Sequence, residues 1–171
     1  MTIATKMIEK PHIMMELCDA IGFCSGGLAS IFKDDYQFQW KDRDNVVLEN
    51  FGFILAFLCV KKTLSYDEAG ECIACFIGAN VGNDKEKAVF IAKSAQFYLK
   101  HLQALEDDSK KTFWISSIIT YNLAKPGTWD GFEEVLPLHQ SMITVAERWI
   151  SLQAFLYEEM PKHLMPIFQK L

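Results

Sequence analysis

The chain has 171 residues, half of them hydrophobic and 23% charged, with a formal net charge of −5. A chain of this length buries about 70% of its unfolded surface, so one compact domain over residues 1–171 is expected, and disorder, a collagen-like repeat and a disulfide mini-protein are excluded. Arginine occurs only at Arg43 and Arg148, against fifteen lysines, and an acidic chain without a basic face is a poor partner for nucleic acid, whose binding rests on neutralising phosphates.

Residues 1–10 contain no apolar stretch followed by a small-residue cleavage site. The densest apolar run, Phe51 to Val60, is ten residues long, about half of what a membrane span requires. A cytoplasmic protein without a membrane partner is therefore expected. An odd number of cysteines, five, lies on apolar segments, which fits a reducing compartment where thiols act as small hydrophobes.

In chain order, Pro11 suits a first helical turn, and Ile13, Leu17, Ile21, Leu28, Ile31 and Phe32 carry a helix toward Lys33, bent or broken at Gly26-Gly27. After a polar and aromatic connection, Asp44 or Asn45 caps a second helix through Lys62 that is apolar nearly all round, as a central element would be. Ser65 and Glu68 form a capping box for a third helix ending near Gly82. Asn83 or Asp84 opens a fourth, in which Ala88, Ile91, Ala92, Ala95, Tyr98, Leu99, Leu102 and Leu105 form one apolar stripe while Lys85, Lys87, Lys93 and Lys100 form a solvated face.

Ser109 caps a fifth helix, Phe113 to Leu123, which stops before Pro126-Gly127. Leu138, Met142, Val145, Trp149, Leu152 and Leu156 define a sixth, and Pro161 and Pro166 confine the tail to a short turn or helix. With no convincing period-two segment beyond Tyr36 to Trp40, the pattern is that of an all-α, single-domain irregular bundle of six or seven helices around a central apolar helix.

Three helices carry small residues at helical spacing: Cys18, Gly22, Gly26 and Ala29; Gly52, Ala56 and Cys59; Gly70, Ala74 and Gly78. A helix-interior glycine costs about 1 kcal/mol relative to alanine, so each calls for a reason. Tight helix crossings are the expected one. The alternative is a ligand pocket lined by Cys18, Gly22, Glu49, Gly52 and Cys59. Glu49 shares a face with Gly52; it sits either at a solvent-facing first turn, as expected, or against the apolar core, where desolvation would raise its pKa.

Cys72 and Cys75 form a C-x-x-C inside a helix, with no second pair and no strand before it. Core packing is expected there rather than redox chemistry or metal binding. Cys24, beside Gly26-Gly27, is likewise expected to pack rather than to act as a nucleophile. His12, His101, His139 and His163 stand outside metal-site spacings, and Asp34-Asp35, Asp107-Asp108, Glu133-Glu134 and Glu158-Glu159 read as solvated or capping carboxylates. No catalytic residue, metal or cofactor is assigned.

The connections are unusually aromatic: Tyr36, Phe38 and Trp40 in one, Trp129 and Phe132 in another. Such rings either plug the ends of a bundle or form a protein-binding surface, since tryptophan and tyrosine dominate interface hot spots. The reading that follows is a non-enzymatic intracellular protein-binding module, an adaptor or a small acidic inhibitor of the immunity type, with another protein as its partner. The alternatives are a ligand- or cofactor-binding bundle, with enzymatic activity as one form of it, and a self-associating homodimer.

Overall fold

The computed structural model describes residues 11–31, 43–80, 82, 84–104 and 150–170, and every element among them is helical. In chain order these are α1 (Pro11–Ile31), α2 (Arg43–Val60), α3 (Tyr66–Asn80), α4 (Lys85–Ala104), a π-helical turn (Phe155–Glu159) and α5 (Met160–Phe168). The all-α expectation holds for these residues. The expected fifth helix, the start of the sixth, and Tyr36, Phe38, Trp40, Trp129 and Phe132 lie outside them.

Local sequence signals account for the helix ends. Pro11, with no N–H to leave unsatisfied, opens α1. At α3 the capping box is complete. The backbone N–H of Glu68 donates to Ser65 Oγ at 3.2 Å, and the N–H of Ser65 donates to Glu68 Oε2 at 2.7 Å. Asp84 caps α4, its Oδ1 accepting from the N–H of Glu86 at 3.1 Å and from that of Lys87 at 3.2 Å, which supplies two of the otherwise unpaired first-turn donors with an acceptor. Gly82, just past α3, takes a φ of +67°, a conformation that L side chains rarely adopt.

One expectation about breaks is corrected and one is met. Helix α1 runs through Gly26-Gly27 without interruption; Ser25 is buried there, its hydroxyl donating to the Ile21 carbonyl at 2.7 Å. The tail forms the expected short helix, Met160–Phe168, which contains both prolines. Pro161 falls in the first turn of α5, where a missing N–H costs little, and the π-helical turn directly precedes it.

Helix α2 packs against α1, α3 and α4, and residues 51–58 are all buried. Phe51, Phe53, Ile54 and Leu55 are fully enclosed; burying side chains of this size contributes about 1.5–3 kcal/mol each. Phe53 meets Tyr98 edge-on at 5.2 Å between ring centroids, and Phe51 lies 4.3 Å from Phe76 of α3. By length and composition α1 could cross a membrane, but Ile13, Leu17, Ile21 and Leu28 are spent on the core. Helix α1 and the C-terminal helical run meet in opposite chain order: Glu16 pairs with Lys170, Phe23 packs against the tilted ring of His163, and Gly27 faces Phe155.

Candidate functional site

Of the residues proposed from sequence to line a pocket, Glu49 and Gly52 come together at the crossing of α2 and α4. A Cβ placed on Gly52 would stand 2.5 Å from Ser94 Oγ, 2.8 Å from Ser94 Cβ and 2.9 Å from the backbone nitrogen of Ala95. The space left by the missing side chain is therefore filled by α4. Closeness makes a polar link: the buried Ser94 hydroxyl donates to the Glu49 carbonyl at 3.0 Å.

One turn along α4, the Tyr98 hydroxyl donates to Glu49 Oε1 at 3.3 Å. Glu49 is fully buried, which corrects the expectation of a solvent-facing first turn. The reason is register: α2 begins at Arg43, so Asp44 and Asn45 occupy the exposed first turn and Glu49 falls in the second, facing α4. The next residue, Asn50, is also fully buried and donates from Nδ2 to the Ser25 carbonyl of α1 at 3.2 Å. Glu49, Asn50, Ser25, Ser94 and Tyr98 thus form a polar layer whose hydrogen bonds link three helices. Apolar patterning does not mark Asn50 or Ser94; the cue available in sequence was Ser94 and Tyr98 one turn apart, opposite a glycine.

Cys18 and Gly22 lie on a different face, toward α3. A Cβ on Gly22 would come within 3.3 Å of the Phe76 ring. Cys18 is buried, and its thiol donates to the Cys72 carbonyl at 3.4 Å; the Cys72 thiol in turn donates to Met14 Sδ at 3.4 Å. Its hydrogen bond with Cys72, then burial, hold the Cys18 thiol far above the usual thiol range. Burial first, then Cys18, push Cys75 up to about 11. Cys59 stands apart near the end of α2, half-buried, its thiol raised by burial and donating to the Ser65 carbonyl at 3.7 Å. Cys24 is buried, with its thiol pushed up to about 11 by burial; that is the state of a packed cysteine rather than an activated nucleophile. The five residues proposed for a pocket therefore occupy three places.

The remaining glycines of the three stripes are open. Gly26, Gly70 and Gly78 have nothing within 4 Å of an added Cβ. Several large apolar side chains also face water, with Phe23 66%, Tyr66 62% and Tyr157 53% exposed. Phe23 packs on the His163 ring at 4.9 Å, Tyr66 accepts a hydrogen bond from Gln103 Nε2 at 2.8 Å, and Tyr157 lies edge-on to Phe57 with Lys61 Nζ 5.7 Å from both ring centres. These rings are exposed and yet held in place. Comparison with protein-family models, curated proteins and solved structures finds no match.

Proposed function

We propose that this chain is a non-enzymatic intracellular protein-binding module, an adaptor or an acidic inhibitor of the immunity type, built as six or seven helices around α2. Tyr36, Phe38, Trp40, Trp129 and Phe132 are its contact residues. What supports a protein-binding surface in general, though not those five positions, is the set of exposed rings on the described residues that neighbours contact, Phe23 above all: a large side chain already ordered loses little entropy on docking, which favours its use as an interface anchor. The −5 charge suits a basic partner and would speed its association.

The test is substitution of Trp40 and Trp129 by alanine, with circular dichroism to verify the fold. Loss of a co-purifying partner from a folded double variant is the expected result. Undiminished partner binding by that variant defeats the reading.

A small-ligand-binding bundle is the second reading, favoured by the carboxylate of Glu49 held inside the protein against Tyr98. Native mass spectrometry of protein from its own host separates the two. A retained small mass that disappears in Glu49→Gln supports a ligand; a stoichiometric protein partner supports the module.

A further inference from the structure

Helices α3 and α4 pack on each other as an antiparallel hairpin. Residues 81–84 join them at one end, and at the other Gln103 Nε2 donates to the Tyr66 hydroxyl at 2.8 Å. The outward side of α3 carries Asp67, Gly70, Glu71, Ala74 and Gly78 at steps of three and four, all exposed. The outward side of α4 carries Lys85, Val89, Lys93, Gln96, Lys100 and Gln103 at the same steps, also all exposed. One ridge of this face is therefore acidic and its neighbour basic. Asp67, Glu71, Lys85, Lys93 and Lys100 make no ion pair with one another or with any other described residue.

We propose that this hairpin face is the interface of a twofold-symmetric dimer, in which α3 of each chain lies on α4 of a second copy. Charge selects both the occupant and the arrangement. An acidic ridge beside a basic one is its own complement: a twofold axis running along the helices, between the two copies, sets each ridge on its opposite. The other twofold axis in the plane of the face would lay α4 on α4, with lysine ridge against lysine ridge, and like charges brought together oppose association.

The hydrogen bond between Tyr66 and Gln103 fixes the register. Both helices rise by about 1.5 Å per residue, so counting back from Gln103 along α4 and forward from Tyr66 along α3 puts Lys100 level with the turn between Asp67 and Glu71. The same count puts Gln96 level with Ala74. An axis along the helices preserves these heights, so Lys100 of the second copy meets Asp67 and Glu71 directly. Ala74 is small, and an added Cβ on Gly70 would have nothing within 4 Å, so the stems of Gln96 and the lysines can lie close against the α3 backbone. Helix α3 has 15 residues; at about 22 Å long, with two helices about 20 Å across, the face offers about 450 Å² a side. That is the low end for a specific interface, and the dimer is one that assembles at about 10–100 µM. It uses none of the five contact residues of the protein-binding reading and is independent of it.

The test is sedimentation velocity of the purified full chain from about 1 to 300 µM, a range that brackets the expected midpoint, with circular dichroism to verify the fold of each variant. The wild type should pass from monomer to dimer across that range, and added salt should weaken the dimer. Ala74→Arg adds bulk and charge at an exposed position and should weaken dimerisation at least about a hundredfold. Glu71→Lys and Lys100→Glu should each weaken it about tenfold, because the symmetry counts every exposed pair twice. Both swaps in one chain restore the pairing and should bring the dimer back. Trp40→Ala/Trp129→Ala should dimerise as the wild type does, so loss of a foreign partner and loss of the dimer are separate results. A wild type that stays monomeric throughout, a dimer undiminished in Ala74→Arg, or a double swap that dimerises no better than either single one overturns the proposal.

Discussion

Replacing Gly52 by alanine tests the crossing on which the α2 and α4 packing turns. The new methyl would stand 2.5–2.9 Å from Ser94 and the Ala95 backbone nitrogen, against an ordinary separation of 3.4–4 Å. Ser94 alone cannot step aside, because one of the three nearest atoms belongs to the α4 backbone. The helices must therefore part by about 0.5–1 Å.

Overpacking of this kind costs about 1–3 kcal/mol. If the 3.0 Å bond from Ser94 to the Glu49 carbonyl opens as well, a buried hydroxyl left unsatisfied adds about 1–3 kcal/mol. Against this, alanine gains about 1 kcal/mol of helix propensity over glycine. With both terms the net expectation is about 1–5 kcal/mol of lost stability, or a melting temperature lower by about 2–20 °C for a chain of this size.

Urea denaturation followed by far-UV circular dichroism reads the difference, with Gly78→Ala as the internal contrast. Gly78 is exposed with nothing within 4 Å of an added Cβ, so the same substitution there should stabilise by about 0.5–1 kcal/mol. A Gly52→Ala protein as stable as the wild type would refute the close crossing.

Three further expectations follow from the described contacts. Ser65→Ala removes half of a reciprocal cap on α3 and should cost about 1 kcal/mol in the same denaturation assay; no measurable loss would contradict that cap. The Glu16 carboxyl is held below the usual carboxylate range by its hydrogen bond with Lys170. Because the folded pKa is depressed, the associated stability is fully present above the ordinary value of 4.5 and fades as pH falls through the lowered one. Both side chains are well exposed, so the effect on stability is small and salt-sensitive. An NMR titration should find the Glu16 pKa returning to the ordinary range in Lys170→Met, and an unchanged value would contradict the pairing. Finally, a bulky thiol reagent at mildly alkaline pH should modify Cys59 and Cys75 while sparing Cys18, Cys24 and Cys72 in the folded protein. Rapid modification of all five would contradict their burial.

Helix positions and caps could be read from the sequence because they depend on neighbours in the chain. Ser65 and Glu68, Asp84, and Pro11 act within one turn, and each is found where local chemistry puts it. Positions whose role depends on a partner far along the chain were harder to place. Glu49 looked like a first-turn carboxylate because a one-turn difference in where α2 starts decides between water and core. Gly52 announced a close approach, but not that Ser94, two helices further on, would fill it. The small-residue pattern also merged unlike positions, since Gly52 is packed and Gly26, Gly70 and Gly78 are open. Cys72 showed no partners because its own, Met14 and Cys18, come from the first helix of the described chain.

The proposed role as a protein-binding module is tested most directly by native mass spectrometry of the affinity-purified chain from its own host, comparing the wild type with Trp40→Ala/Trp129→Ala at matched expression and verified folding. The wild type should carry one protein partner in fixed stoichiometry and the double variant should be free of it. A wild-type chain that flies alone or only as its own dimer, or a double variant that keeps the same partner, would contradict the proposal.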